Sequence, residues 1–242
     1  MDRIDKVLSN MGIGSRKEVK EILKKGVVTV DNIIIKNPKV QIDPEKAIIE
    51  IAGEQLVYKK NIYLMMNKPM GVISATYDNY DKTVIDILPD SYQHYNLYPV
   101  GRLDKDTLGL LILTNDGDLN HRVTSPKYHV DKVYYVRVDI ELNEEHIEKF
   151  KSRIIIDDGY ECLPANLKII NKTDTNSEAY VTIHEGKFHQ VKRMFEAIGG
   201  KVLYLERVKF GPLTLDSKLD RGEVRELSNN ELESLKNECY IS

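Results

Sequence analysis

Apolar residues at Ile4, Val7, Leu8 and Met11 repeat with the i, i+3, i+4, i+7 spacing of one helix face. Gly12 and Gly14 break that helix. Ser15, followed by Glu18, forms a capping box that opens a second helix. This second helix buries Val19, Ile22 and Leu23 and ends at Gly26. Residues 27–30 and 33–35 then flank Asp31-Asn32, a two-residue hairpin signal. Past Gly53 the pattern changes to strand-like segments at 62–66, 97–100, 108–113, 133–140, 154–156, 179–184 and 202–210. Helical spacing interrupts them from Asp116 to about Val123, and again near Asn143, where Ile147 and Phe150 lie beneath acidic Glu144, Glu145 and Glu148. A third helix spans about 189–198, with Val191, Met194, Phe195 and Ile198 inward and Gly199-Gly200 closing it. Strands mixed with helices, without strict alternation, predict an α+β fold. We expect a small N-terminal α/β domain at 1–58. A larger domain at 59–242 should be built on a mixed, largely antiparallel sheet flanked by helices.

Composition narrows the classes without choosing one. The 242 residues are 30% charged and 41% apolar, an ordinary globular balance. Lys and Arg total 35 against 38 for Asp and Glu, which excludes a simple polycation. No apolar stretch approaches the roughly 18 residues of a membrane span, and the opening MDRIDKVLSN lacks a secretory apolar core. Cys162 and Cys239 stand alone, so they read as two reduced thiols of a cytoplasmic protein, not a disulfide framework or zinc site. No P-loop, dinucleotide fingerprint or metal cluster is present, and we expect neither cofactor nor metal.

The charge is unevenly spread. Arg16, Lys17, Lys20, Lys24 and Lys25 outweigh Glu18 and Glu21, giving the second helix a balance of +3. Arg16, Lys20 and Lys24 are spaced by four, so they line one stripe opposite the apolar face. Such a stripe can follow phosphates, or it can be an ordinary solvated face. Residues 187–209 carry a further +4, while 139–148 hold five acids and no Lys or Arg.

Three segments could carry chemistry. In GRLDKDTLGLLILTNDGDL (101–119), a Gly-led turn presents Arg102 and Asp104 and runs into an apolar strand; the alternative is a turn whose Asp caps local N–H groups. In EGKFHQVKRMFEAIGG (185–200), His189, Lys192, Arg193 and Glu196 project away from the apolar side, where the cations could hold an anion or simply meet solvent. In DKVYYVRVDI (131–140), Tyr134 shares parity with Val136, Val138 and Ile140. It therefore faces inward, either as a core tyrosine or as part of a site.

The order of motifs joins these signals. Residues 3–42, RIDKVLSNMGIGSRKEVKEILKKGVVTVDNIIIKNPKVQI, resemble the S4 RNA-binding domain nearly end to end. NKPMGVIS (67–74), GRLDKDTLGLLILTNDGDL (101–119), KVYYVRV (132–138) and EGKFHQVKRMF (185–195) resemble, in order, the motifs of the RsuA/RluB group of pseudouridine synthases. The resemblance implies isomerisation of a uridine in ribosomal RNA, a reaction that needs no cofactor. It makes Asp104 the essential carboxylate and Lys192 its counter-cation, where many related families carry Arg. It places Tyr134 beside the uracil and Arg102 in the space the flipped nucleotide leaves, and makes Lys68 and Pro69 structural. Arg16, Lys17, Lys20, Lys24, His189 and Arg193 become RNA-binding candidates. The expected partner is ribosomal RNA or a ribosomal subunit assembly intermediate, met by a monomer. The wording HQVKRMF resembles the small-subunit branch, implying 16S RNA and its uridine 516. A 23S enzyme of the RluB, RluE or RluF type and a catalytically silent assembly factor are the alternatives.

Overall fold

The computed structural model describes residues 1–240, without the side chains of Pro126, Cys239 and Tyr240; the Cys239 thiol therefore lies outside the described residues. The chain forms two compact units: Met1–Ile62 with Pro89–Leu97, and Tyr63–Leu88 with Tyr98 onward. The boundary thus falls four residues beyond the expected 58/59. A later excursion, bearing the one-turn helix α3 (Asp90–Gln93), also belongs to the first unit.

In the first unit β1 (Asp2–Arg3) pairs with β4 (Gln41–Ile42), and α1 (Ile4–Asn10) is followed by α2 (Arg16–Lys24). A four-stranded antiparallel sheet runs in the order β3 (Ile33–Ile34), β2 (Val28–Val30), β5 (Ile49–Ile51), β6 (Glu54–Leu56). The capping box forms as expected: the Ser15 N–H donates to Glu18 Oε2 at 2.7 Å, and the Glu18 N–H donates to Ser15 Oγ at 3.3 Å. Asp31 and Asn32 adopt φ of 51° and 65°, the left-handed pair a two-residue hairpin turn demands. Ile4, Val7, Leu8, Val19, Leu23, Val28 and Ile49 form the core.

The second unit comprises β7 (Tyr63–Lys68), β8 (Tyr98–Val100), β9 (Leu108–Thr114), α4 (Gly117–Thr124), β10 (Lys132–Val138), α5 (Glu144–Lys151), β11 (Asn166–Lys172), β12 (Ser177–Ile183), α6 (Gln190–Ala197), β13 (Val202–Phe210), β14 (Leu213–Thr214), β15 (Val224–Glu226) and α7 (Asn229–Tyr240). Its sheet runs β11-β12-β10-β13-β9-β7-β15, with β8 paired to β9 and β14 to β13. Among the described strands only β13 and β9 run parallel, so the sheet is mixed and largely antiparallel. Asp116 caps α4 by accepting from the N–H groups of Asp118 and Leu119, both at 3.1 Å. Asn143 caps α5 in the same way. Met65, Leu110, Ile112, Leu119, Phe210 and Leu235 pack together as a core shared by the sheet, α4 and α7.

Segment 154–156, predicted as a strand, makes only an isolated bridge between Ile155 and Glu161. Conversely β11, β14, β15 and α7 carry too little apolar periodicity to be recognised from the sequence. β11 is a sheet edge whose side chains are mostly exposed, which removes the alternation.

The parallel junction depends on Gly109. Its φ is +99°, and a Cβ there would lie 2.3 Å from the carbonyl oxygen of Arg207 on β13. Gly109→Ala must both strain the backbone and push β13 away, so we expect a loss of roughly 2–4 kcal/mol in unfolding free energy. Urea denaturation monitored by circular dichroism measures it; an unchanged midpoint would contradict this role of the glycine.

Candidate active site

Asp104 lies on the turn between β8 and β9, and buried polar bonds hold that turn from several sides. Ser74 Oγ donates to the Leu103 carbonyl at 2.9 Å and accepts from the Leu103 N–H at 3.0 Å. The Thr107 N–H closes the turn onto the Asp104 carbonyl at 3.1 Å, and the Gly71 N–H donates to the Lys105 carbonyl at 2.8 Å. Beneath it, Lys68 at the end of β7 is fully buried, and its Nζ donates to the carbonyls of Thr107 (2.9 Å), Asp104 (3.0 Å) and Pro69 (3.1 Å). Burial pushes the Lys68 ammonium down to about 8, against the opposing pull of Asp104 and Asp106.

Helix α6 supplies the opposite wall. Lys192 Nζ lies 3.1 Å from Asp104 Oδ2 and 2.5 Å from Asp106 Oδ1, so one ammonium bridges two carboxylates. Burial pulls Lys192 down, but the bonds from Asp106 and Asp104 outweigh it and hold the group above its ordinary value. Burial pushes Asp106 up, yet the same pairing with Lys192 prevails and carries it below the usual carboxylate range. His189, the residue before α6, adopts φ +50° and brings Nε2 to 3.6 Å from Asp104 Oδ1. Its ring stacks on the exposed ring of Phe188, with centroids 3.8 Å apart.

A cleft of about 570 Å³ opens beside these groups, lined by Arg102, Asp104, Tyr134, Lys187, His189 and Arg207 among others. Tyr134 is 7% exposed and lies on the inward parity of β10, as the alternation predicts. Arg102 is exposed at the cleft.

Arg193 is placed differently from the expectation of an RNA contact. Its guanidinium pairs with Asp157 and Asp158 and donates to the Phe188 carbonyl at 3.2 Å, so its charge braces α6 against the 157–158 turn. Alongside it the buried Glu185 accepts from the Tyr160 hydroxyl (2.7 Å), the Leu163 N–H (2.8 Å) and Gln190 Nε2 (2.7 Å). That bond to Glu185, more than burial, pushes the Tyr160 phenol up to about 12. Arg16, Lys17, Lys20 and Lys24 are exposed on α2 in the other unit, where Lys24 pairs with Glu21 at 2.8 Å.

Sequence reasoning missed Asp106, Thr107 and the Glu185 network. Asp106 stands two positions past Asp104, but nothing in one sequence tells it from any exposed turn acid. Among the described residues no group of His, Cys, Asp and Glu is placed to hold a metal ion, and no helix is long and apolar enough to cross a membrane.

Residues 62–197 match the family model of RNA pseudouridylate synthase. The chain belongs to that family. Residues 2–48 of this synthase match the S4 domain. It is 46% identical to an uncharacterised RNA pseudouridine synthase of Bacillus subtilis, over 96% of this chain and 98% of the relative. It is 40% identical to the ribosomal small subunit pseudouridine synthase A of Vibrio cholerae (96% and 99%), and 36% to the ribosomal large subunit pseudouridine synthase B of Bacillus subtilis (98% and 96%). A crystal structure of a pseudouridylate synthase covers 97% of this chain and 100% of its own, with 34% identity and a TM-score of 0.67. The α+β reading and the pairing of an S4 module with a catalytic domain therefore stand.

Lys68 in this synthase gives a test by pH. Its folded-state value is depressed, so between about 8 and the ordinary 10.5 the unfolded chain holds a proton that the folded chain has released. The Lys68 contribution must therefore make unfolding free energy rise with pH across that window and be flat below it. Urea titrations at stepped pH should show a steeper rise for wild type than for Lys68→Met; parallel curves would refute the assignment.

Proposed function

We propose that the enzyme converts a uridine of ribosomal RNA to pseudouridine, with the small-subunit 16S RNA as substrate and its uridine 516 as the target. The observation that carries the reading is the Lys192 ammonium held between Asp104 and Asp106 at the cleft. Substrate and product are isomers. The site must therefore receive an extruded nucleotide, break N1–C1′, turn the base and rejoin it through C5. Asp104 is the carboxylate that acts at the sugar, and it has to be ionised to do so. Lys192 supplies its counter-charge in a half-buried setting, with Asp106 holding the ammonium from the far side. Tyr134 presents its ring to the uracil, with its hydroxyl as a candidate acceptor of the C5 proton. Arg102, exposed at the cleft, occupies the gap left in the RNA, and His189 contacts the backbone.

The S4 helix supplies a second, sequence-independent hold on RNA through Arg16, Lys17, Lys20 and Lys24, since RNA helices are read largely by backbone and shape. Two observations favour the small subunit: the wording HQVKRMF, and the higher identity to a small-subunit synthase than to a large-subunit one. The large-subunit reading keeps weight because that second relative also matches over almost its whole length.

Mapping pseudouridine in 16S and 23S RNA of cells with and without the gene tests activity and site together. A loss confined to 16S supports the proposal, a loss confined to 23S moves the substrate, and no loss in either rejects it. In single-turnover assays Asp104→Asn should give no product while RNA affinity changes by less than about threefold. Lys192→Met should slow the reaction by about 100-fold or more. Undiminished turnover of either variant would remove it from the chemistry.

The S4 contribution is tested by salt. Replacing Arg16, Lys20 and Lys24 with Glu should weaken RNA binding and reduce the log–log salt slope by about 0.7–0.9 for each phosphate that is no longer neutralised. The single-turnover rate at saturating enzyme should stay the same. An unaltered slope would show that this helix does not touch RNA.

A further inference from the structure

Arg207 is a buried cation with no part in the steps above. It sits on β13 at 2% exposure, and its Nε donates to the Leu110 carbonyl at 2.8 Å. The guanidinium carbon lies 4.9 Å from the centre of the Phe210 ring. These contacts account for one N–H and one face of the group. Nη2 is buried and has no hydrogen-bond partner, and among the described residues no carboxylate pairs with the charge. A charge taken out of water without a counter-ion, with a donor left unmade, is unfavourable on both counts. An apolar side chain would pack the same space without either penalty.

Its position in the sheet places the guanidinium. Arg207 is the cross-strand partner of Tyr134 on β10, so the two side chains leave the sheet on the same side. On its other edge Arg207 is in register with Gly109, five residues after Asp104, where the missing Cβ lets the backbones close up. The guanidinium therefore lies between the strand that carries Tyr134 and the strand that the Asp104 turn feeds, and it lines the same cleft as both.

We propose that Arg207 is a catalytic residue whose Nη2–H donates to a carbonyl oxygen of the target uracil and stabilises the negative charge that the base acquires as N1–C1′ breaks. The inference rests on the uridine-isomerising reading of the site. Heterolysis leaves the bonding pair on the base, spread over N1, O2 and O4. The electron-poor C1′ is taken up by the Asp104 carboxylate until C5 bonds to it. The C5 proton then leaves to the Tyr134 oxygen or to water, N1 takes up a proton, and the product has the formula of the substrate. A fixed cation with an open donor opposes no charge in the resting cleft, yet meets one as the base departs.

The test compares uridine with 5-fluorouridine at the target position of a substrate RNA, in single turnover at saturating enzyme. Fluorine withdraws electrons and makes the base a better leaving group, so it should reduce the dependence on Arg207. Arg207→Met should slow N1–C1′ cleavage by about 100-fold or more on uridine and by less than about tenfold on 5-fluorouridine, with RNA affinity within about threefold of wild type. Arg207→Lys keeps the charge and the buried stem. It should show a smaller loss with the same selective relief, and it carries the comparison if the Met variant does not fold. Equal losses on the two substrates, in either variant, would mark Arg207 as a structural brace and overturn the proposal. So would a raised dissociation constant with an unchanged rate, which would assign the donor to a backbone phosphate. Failure of wild type itself to form pseudouridine would instead count against the proposed function.

Discussion

The Lys68 ammonium, buried and satisfied by backbone carbonyls, fixes the one turn on which the rest of the catalytic unit converges. A cation sealed from water needs full hydrogen bonding, and the turn's carbonyls, unpaired by any strand, need donors. Each requirement meets the other. The carboxylate of Asp104 is thus set by the backbone beneath it, before Lys192 reaches it from α6. The arrangement separates two tasks that a single ion pair would confuse. Lys68 holds the main chain of the turn, and Lys192 pairs with the carboxylate it carries.

Helix α6 is held with comparable care. Glu185 gathers the Tyr160 hydroxyl, the Leu163 N–H and the Gln190 amide, while Arg193 engages Asp157 and Asp158. Both ends of the Lys192–Asp104 bridge therefore belong to braced elements, which is how a flexible lysine stem comes to hold a fixed distance. The +4 balance along 187–209 is correspondingly not all available to RNA. Arg193 uses its charge within the fold, Lys192 is divided between two acids, and Arg207 is buried.

Local signals are the legible part of the sequence. Ser15 and Glu18, Asp31-Asn32, Asp116 and Asn143 each specify a cap or turn through their own neighbours, and each forms where the spacing predicts it. The inward parity of Tyr134 is legible too, because β10 is flanked on both edges and its alternation is enforced by burial. Elements at the periphery are not, since β11 and β15 bury too little to show a period. Asp106, Glu185 and Arg207 cannot be singled out either. They bond to Lys192, Tyr160 and Leu110, which are 86, 25 and 97 residues away, and a separation of that size leaves no mark on local pattern. The Ser74 hydroxyl that pins the Asp104 turn is equally silent, since it reaches Leu103 across 29 residues.

The return of residues Pro89–Leu97 to the first unit has a consequence for how the protein is made. The chain passes between the units three times: after Ile62, after Leu88 and after Leu97. Residues Pro89–Leu97 therefore cannot join the first unit until the opening strand of the second has already been synthesised, although the core of that unit is complete by Tyr58. A cut at residue 58 would likewise separate an N-terminal module from a piece of itself.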